Sequence, residues 1–151
     1  MSYTRQQIDA CIRNGLRIAG YVWCFPGDTA SSMHSRLKMF DGFALESLWL
    51  DVEQSHVKVA DVDSDLAVCD AYSGHLTGIY SGHWYFQQQG WLGVTKWADQ
   101  GRPLWDSRYD GVPVTQAGFV AYGGWHSCLI KQYAGTSTVG SVSQIDLDVT
   151  G

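Results

Sequence analysis

The hydrophobic pattern of the chain alternates between helical and strand-like segments. Residues 4–14 carry apolar side chains at helical spacing, whereas residues 16–25 form a mostly apolar run that the turn sequence PGD closes. The same patterns predict further helices at 31–41, 61–73 and 83–89, and further strands at 45–53, 76–82, 103–109, 128–133 and 143–149. Because strands that alternate with helices indicate βαβ units, we predict an α/β fold with a parallel sheet of six strands.

Composition narrows the class of protein. The chain has 151 residues, which favours a single domain over residues 1–151, and 45 % of them are hydrophobic, enough for a packed core. The net charge of −5 offers no basic surface for nucleic acid, and no apolar run reaches the length of a membrane-spanning helix. Seven Trp and eight Tyr suit the binding of sugar rings, although part of this surplus belongs in the core.

The sequence contains no motif typical of a metal or cofactor site. The chain contains four cysteines, Cys11, Cys24, Cys69 and Cys128. Their spacing fits no zinc site, and their low density favours free or buried thiols. The acidic run at 61–65 is similar to the start of a calcium loop, but Leu66 stands where glycine is required and Tyr72 where glutamate is required. We therefore expect neither a metal nor a cofactor.

The segment SLWLDVEQ, residues 47–54, carries two acids at the end of a predicted strand. Side chains alternate faces along a strand, so Asp51 and Glu53 point to the same side. Reactive groups gather at the carboxyl ends of parallel strands, and glycoside hydrolysis requires paired carboxylates, one of them with a raised pKa. From the spacing alone, two solvated surface acids are an equally good interpretation.

A second acidic position lies in the last predicted strand. Residues 143–149 alternate between an apolar and a polar face, and Asp146 belongs to the polar face. That face either lines the mouth of a barrel or meets water. The spacing alone slightly favours a polar face that is exposed to solvent.

Six segments in this order resemble glycoside hydrolase family 25, the muramidase or lysozyme family of phage, bacterial and fungal cell-wall hydrolases. They are GLRIAGYVWCF, LWLDVE, GIYSGHWYF, LWDSRYDG, GGW with the following IKQYAGTSTVG, and SQIDLDV. The resemblance implies a TIM-barrel-like (β/α) fold of eight strands. It also implies cleavage of the linkage between N-acetylmuramic acid and N-acetylglucosamine in peptidoglycan, without a cofactor.

The resemblance assigns roles to individual residues. Glu53 matches the general acid, Asp51 the partner carboxylate on the same strand, and Asp146 the acid of the last strand. The expected substrate-binding residues are aromatic: Tyr80, Trp84, Trp105, Tyr109 and Trp125. Asp106 and Ser107 depart from the apolar residue and alanine that are commoner in the family's W-x-A-x-Y element.

One part of the family pattern is missing from the sequence. The family opens with a strand carrying the pattern D-x-S-x-x-Q, followed by a second strand, and neither is found here. We therefore expect a partial barrel with six of eight strands, an N-terminally truncated domain whose open edges would permit self-association. The alternative function is a catalytically impaired glycan-binding relative. A wall hydrolase acts outside the cell or on release to the wall, although no signal peptide is visible.

Overall fold

The computed structural model describes residues 2–139 and 142–151. The chain divides into two compact units, Met1–Thr77 and Gly78–Gly151. Each unit combines parallel strands with helices, and the described residues contain six strands in all. The α/β class predicted from the alternating pattern is therefore confirmed.

The first unit consists of two parallel strands and their helices. Its elements are α1 (Ser2–Arg13), β1 (Ala19–Trp23), α2 (Ala30–Leu37), a 3-10 helix (Lys38–Phe40), β2 (Ser47–Asp51) and α3 (Val59–Ser73). Strands β1 and β2 run parallel, and Trp23 lies opposite Asp51 in their register. Helix α3 packs against both α2 and β2, and buried apolar residues of these elements form the core, among them Val22, Met33, Leu37, Leu48, Leu50, Val62 and Leu66.

Strand β2 is buried on both faces. Leu48, Trp49, Leu50 and Asp51 all belong to the interior. Such a strand reads as a continuous apolar run in the sequence, which explains why this element was recognisable. The strand ends at Asp51, earlier than predicted, so that Glu53 follows it by two residues.

The helices of the first unit begin and end at residues suited to those positions. Thr29 precedes α2, and its hydroxyl accepts a hydrogen bond from the backbone N–H of Ser32 at 3.2 Å. Gly74 ends α3 with a φ of 76°, a conformation that glycine adopts without steric cost. These signals place α3 within two residues of its predicted bounds.

The second unit contains the other four strands. Its elements are β3 (Gly78–Ser81), α4 (His83–Gln89), α5 (Lys96–Asp99), β4 (Leu104–Ser107), β5 (Ile130–Val139) and β6 (Val142–Thr150). Strands β3, β4 and β5 are parallel neighbours, whereas β6 pairs with β5 in the antiparallel direction. The sequence predicted a parallel sheet throughout. The segment between β5 and β6 is too short for a parallel crossover, which needs a dozen residues or more.

An aromatic cluster forms the core of the second unit. The ring of Phe86 meets its neighbours edge to face, with centroid separations of 5.0 to 6.0 Å, and those neighbours are Trp91, Trp97, Tyr122 and Trp125. Trp125 is buried, and its indole N–H donates to the carbonyl of Arg102 at 2.8 Å. Much of the aromatic surplus therefore serves packing.

Two further features concern the chain as a whole. All four cysteines are free thiols, and only Cys11 is partly accessible. Within the described residues, none of the helices combines the length and the apolar character required to cross a lipid bilayer.

Candidate active site

The first unit contributes the predicted pair of acids. Asp51 closes β2 and is only 6 % exposed, whereas Glu53 is half-buried beyond the strand. Burial, and next the negative charge of Glu53, raise the pKa of Asp51 to about 7. The Asp51 atom Oδ1 is buried without a hydrogen-bond partner in the described part of the chain. A carboxyl group in this position holds a proton close to neutral pH.

The raised pKa lies on the member of the pair that the resemblance does not name as the acid. Glu53 is the predicted general acid, whereas Asp51 is the group whose burial raises its pKa. The two groups interact electrostatically, so the proton belongs to the pair as a whole. Acid-catalysed hydrolysis of a glycosidic bond requires two carboxyl groups of which one carries a proton, and burial of Asp51 favours a proton on the pair near neutral pH.

A strip of exposed aromatic side chains accompanies Asp51 in the first unit. Tyr21 and Trp23 lie on one face of β1, and Trp23 is 42 % exposed although it is opposite the buried Asp51 in register. Phe25 continues the strip and stacks on Trp23 with ring centroids 6.2 Å apart. These residues were not among the predicted site residues. The alternation of aromatic and smaller residues in YVWCF was the signal that could have identified them.

Tyr80 and Tyr109 meet in the second unit. Both hydroxyls donate to the side-chain oxygen of Gln132, at 2.5 Å from Tyr80 and 3.0 Å from Tyr109. The two hydroxyl oxygens lie 3.1 Å apart. Gln132 is buried on β5, and its role was not predicted from the sequence. The structure thus joins two predicted site residues through a third residue.

Trp105 links this group to the last strand. Its ring meets Tyr80 edge to face with centroids 5.2 Å apart, and its indole N–H donates to the carboxylate of Asp148 at 2.8 Å. Asp146 lies two residues earlier on β6 and is exposed, and it accepts the backbone N–H of Thr136 at 3.4 Å. Asp148 was not predicted, although it has the same alternating position as Asp146.

A pocket of about 380 Å³ lies beside Tyr109 in the second unit. Trp84 and Tyr109, which are 47 % and 55 % exposed, belong to its walls, and Ser107 is part of its buried lining. Trp84 lies directly against Gly82, since a Cβ atom there would come within 2.5 Å of the indole nitrogen. Two of the predicted aromatic residues therefore share one pocket, whereas Trp125 belongs to the core.

Two ion pairs connect the loop that follows β4 to the strands beside it. Arg108 pairs with Asp106 at 3.3 Å, and the fully buried Lys131 pairs with Asp110 at 2.8 Å. The pKa of Asp106 is raised overall, because the effect of burial exceeds the opposing effect of the hydrogen bond from Tyr122. The unusual aspartate in the LWDSRY segment is therefore a structural anchor. Within the described ranges, no cluster of three or more His, Cys, Asp or Glu residues is arranged to hold a metal ion.

Comparison with known sequences finds distant relatives. No protein-family model matches the chain. It is 33 % identical to counting factor 50 and 32 % identical to counting factor 45-1, both from Dictyostelium discoideum, over 84 % and 74 % of its length. These matches cover 43 % and 38 % of the relatives, so the chain spans less than half of either protein.

Comparison with solved structures identifies the fold. The spore cortex lytic enzyme SleM of Clostridium perfringens superposes with a TM-score of 0.73 and 16 % identity, over 97 % of this chain and 53 % of the enzyme. A muramidase from Acremonium alcalophilum superposes with a TM-score of 0.71 and 16 % identity, over 97 % of this chain and 74 % of the muramidase. The chain therefore has a muramidase-like fold, as its resemblance to glycoside hydrolase family 25 implies.

Proposed function

We propose that the chain is a glycoside hydrolase of the muramidase type, which cleaves the linkage between N-acetylmuramic acid and N-acetylglucosamine in peptidoglycan. The observation that carries this proposal is the pair Asp51 and Glu53 at the carboxyl end of a parallel strand, in a chain with a muramidase-like fold. In (β/α) barrels, catalytic residues occupy this end of the strands.

The proposed chemistry requires a proton donor and a partner carboxyl group beside it. Glu53 donates its proton to the leaving oxygen as the glycosidic bond breaks, water supplies the hydroxyl group of the new reducing end, and the remaining proton of that water returns to Glu53. Asp51 shares the proton of the pair, which its raised pKa retains near neutral pH. Asp146 is a third carboxylate, assigned from its sequence motif and its exposed position on β6.

Binding of the polysaccharide is assigned to aromatic residues of the second unit. Trp84 and Tyr109 offer exposed rings at one pocket, and Tyr80 and Trp105 are held beside Gln132 and Asp148. Aromatic rings with a polar edge suit sugars, which have both apolar and hydroxylated faces. A polymer of the cell wall is the expected partner, so the proposed site of action is extracellular or at the wall.

Replacement of Glu53 tests the proposal. Glu53→Gln should abolish clearing of a peptidoglycan suspension and the release of reducing ends, since the amide cannot donate the proton. Glu46→Gln is the matched control, because Glu46 is an exposed residue of the same unit that pairs with Arg17. Circular dichroism and thermal melting should show both variants folded. Undiminished clearing by Glu53→Gln would refute the assignment.

The exposed rings of Trp84 and Tyr109 also fit a second function, a glycan-binding protein without hydrolytic activity. In that case the wild-type chain would bind insoluble peptidoglycan saturably and release no reducing ends. Co-sedimentation and the reducing-end assay on the same sample separate the two functions. Trp84→Ala would weaken binding in either case.

A further inference from the structure

The side chain of Gln132 holds two tyrosines at once. A carbonyl oxygen has two lone pairs, and here each lone pair has a phenol as its donor. The amide is buried, so water does not compete freely for the same oxygen. Both hydroxyls therefore point to one atom of a residue outside the acidic motifs, and they also lie within 3.1 Å of each other.

The backbone of Gln132 also forms a hydrogen bond next to Tyr109. Its carbonyl accepts the N–H of Arg108 at 3.0 Å, directly before Tyr109 in the chain. Gln132 thus contacts the chain next to Tyr109 and also the hydroxyl at the end of its ring. An exposed phenol without such contacts would sample several rotamers, and holding one rotamer costs side-chain entropy.

The held ring forms a wall of the 380 Å³ pocket. Trp84 lies against Gly82 at the same pocket, and its indole N–H reaches the hydroxyl of Ser107 at 3.4 Å, so two aromatic groups with partners of their own face the ligand site. Preorganised groups bind more tightly, since the entropy of ordering them has already been spent.

We propose that Gln132 is a positioning residue for saccharide binding, which acts through the hydroxyls of Tyr80 and Tyr109. This inference rests on the proposed function, in that the ligand is a segment of peptidoglycan glycan. Gln132 itself need not touch the sugar, and the effect of its loss appears in affinity more than in the bond-breaking step.

Two substitutions at position 132 separate positioning from packing. Gln132→Met keeps the length of the side chain and removes the acceptor oxygen, and it should raise KM about tenfold with a smaller change in kcat. Gln132→Glu keeps an acceptor for both phenols and should restore KM to within about threefold of the wild-type value. Gln88→Met, on the exposed surface of α4, is the matched control and should leave KM unchanged.

A binding measurement makes the test independent of turnover. In a Glu53→Gln background, calorimetric titration with a tetrasaccharide of alternating N-acetylglucosamine and N-acetylmuramic acid should show the same loss for Gln132→Met. Tyr109→Phe leaves only one donor on Gln132 and changes an exposed residue, so it provides a second variant that retains the fold. Its effect and that of Gln132→Met should be less than additive.

The outcomes distinguish the two proposals. Binding that depends on Gln132 in a chain without hydrolysis would overturn the proposed enzyme activity and support the positioning role. Normal hydrolysis with KM unchanged in a folded Gln132→Met variant, or strict additivity with Tyr109→Phe, would overturn the positioning role alone. A wild-type chain that neither binds nor cleaves would overturn both.

Discussion

Burial of Asp51 should make the stability of the chain depend on pH, and Asp51→Asn should remove part of that dependence. The pKa of this carboxyl group rises from the ordinary value of 3.8 to about 7 in the folded chain. Each unit of pKa difference corresponds to about 1.4 kcal/mol, so ionising Asp51 in the folded state costs about 4 kcal/mol.

The sign of the effect follows from proton binding. Between pH 4 and pH 7 the folded chain retains a proton on Asp51 that the unfolded chain has lost, so the free energy of unfolding falls as pH rises through this window. Below pH 4 both states are protonated and the penalty is absent. Asp65, buried in the same unit, has a pKa raised to about 6 by burial, so its contribution has the same sign and remains in the variant.

Urea denaturation between pH 4 and pH 8, followed by tryptophan fluorescence, provides the assay. Buried Trp49 reports on the first unit. From pH 4 to pH 8, the free energy of unfolding should fall in the wild type and fall less in Asp51→Asn. The difference between the two decreases should reach up to about 4 kcal/mol. Glu46→Gln, an exposed control, should follow the wild-type curve. Identical pH slopes in Asp51→Asn and wild type would refute the argument from burial.

Two further predictions concern the second unit. Gly82→Ala would place a Cβ atom 2.5 Å from the indole nitrogen of Trp84 and 2.7 Å from the hydroxyl of Ser107, so it should destabilise the chain by about 1–3 kcal/mol; an unchanged melting temperature would contradict this close fit. Lys131→Met removes a fully buried ammonium group that pairs with Asp110 and donates to the carbonyl of Val112 at 2.9 Å. It should cost about 1–3 kcal/mol in urea denaturation, because the carbonyl acceptors of the loop lose their donor, and an unchanged stability would show that the network does not hold the loop.

The sequence by itself determined the class and order of the elements. Local patterns carry this information: β2 reads as a strand because it is apolar on both faces, and α3 ends where Gly74 adopts a positive φ. The acids Asp51 and Glu53 were also identified from local sequence. Their spacing, and their place at the end of an apolar strand, can both be read from the eight residues 47–54. The order of the motifs then indicated the muramidase-like fold.

Only the tertiary structure decided which residues act together. Tyr80 and Gln132 are separated by 52 positions, and nothing in either segment indicates their hydrogen bond. The tryptophans look alike in the sequence, yet Trp97 and Trp125 are buried in a core while Trp84 lies open at a pocket. The raised pKa of Asp51 likewise depends on how completely its surroundings exclude water, because desolvation is a property of the packed interior and not of sequence spacing.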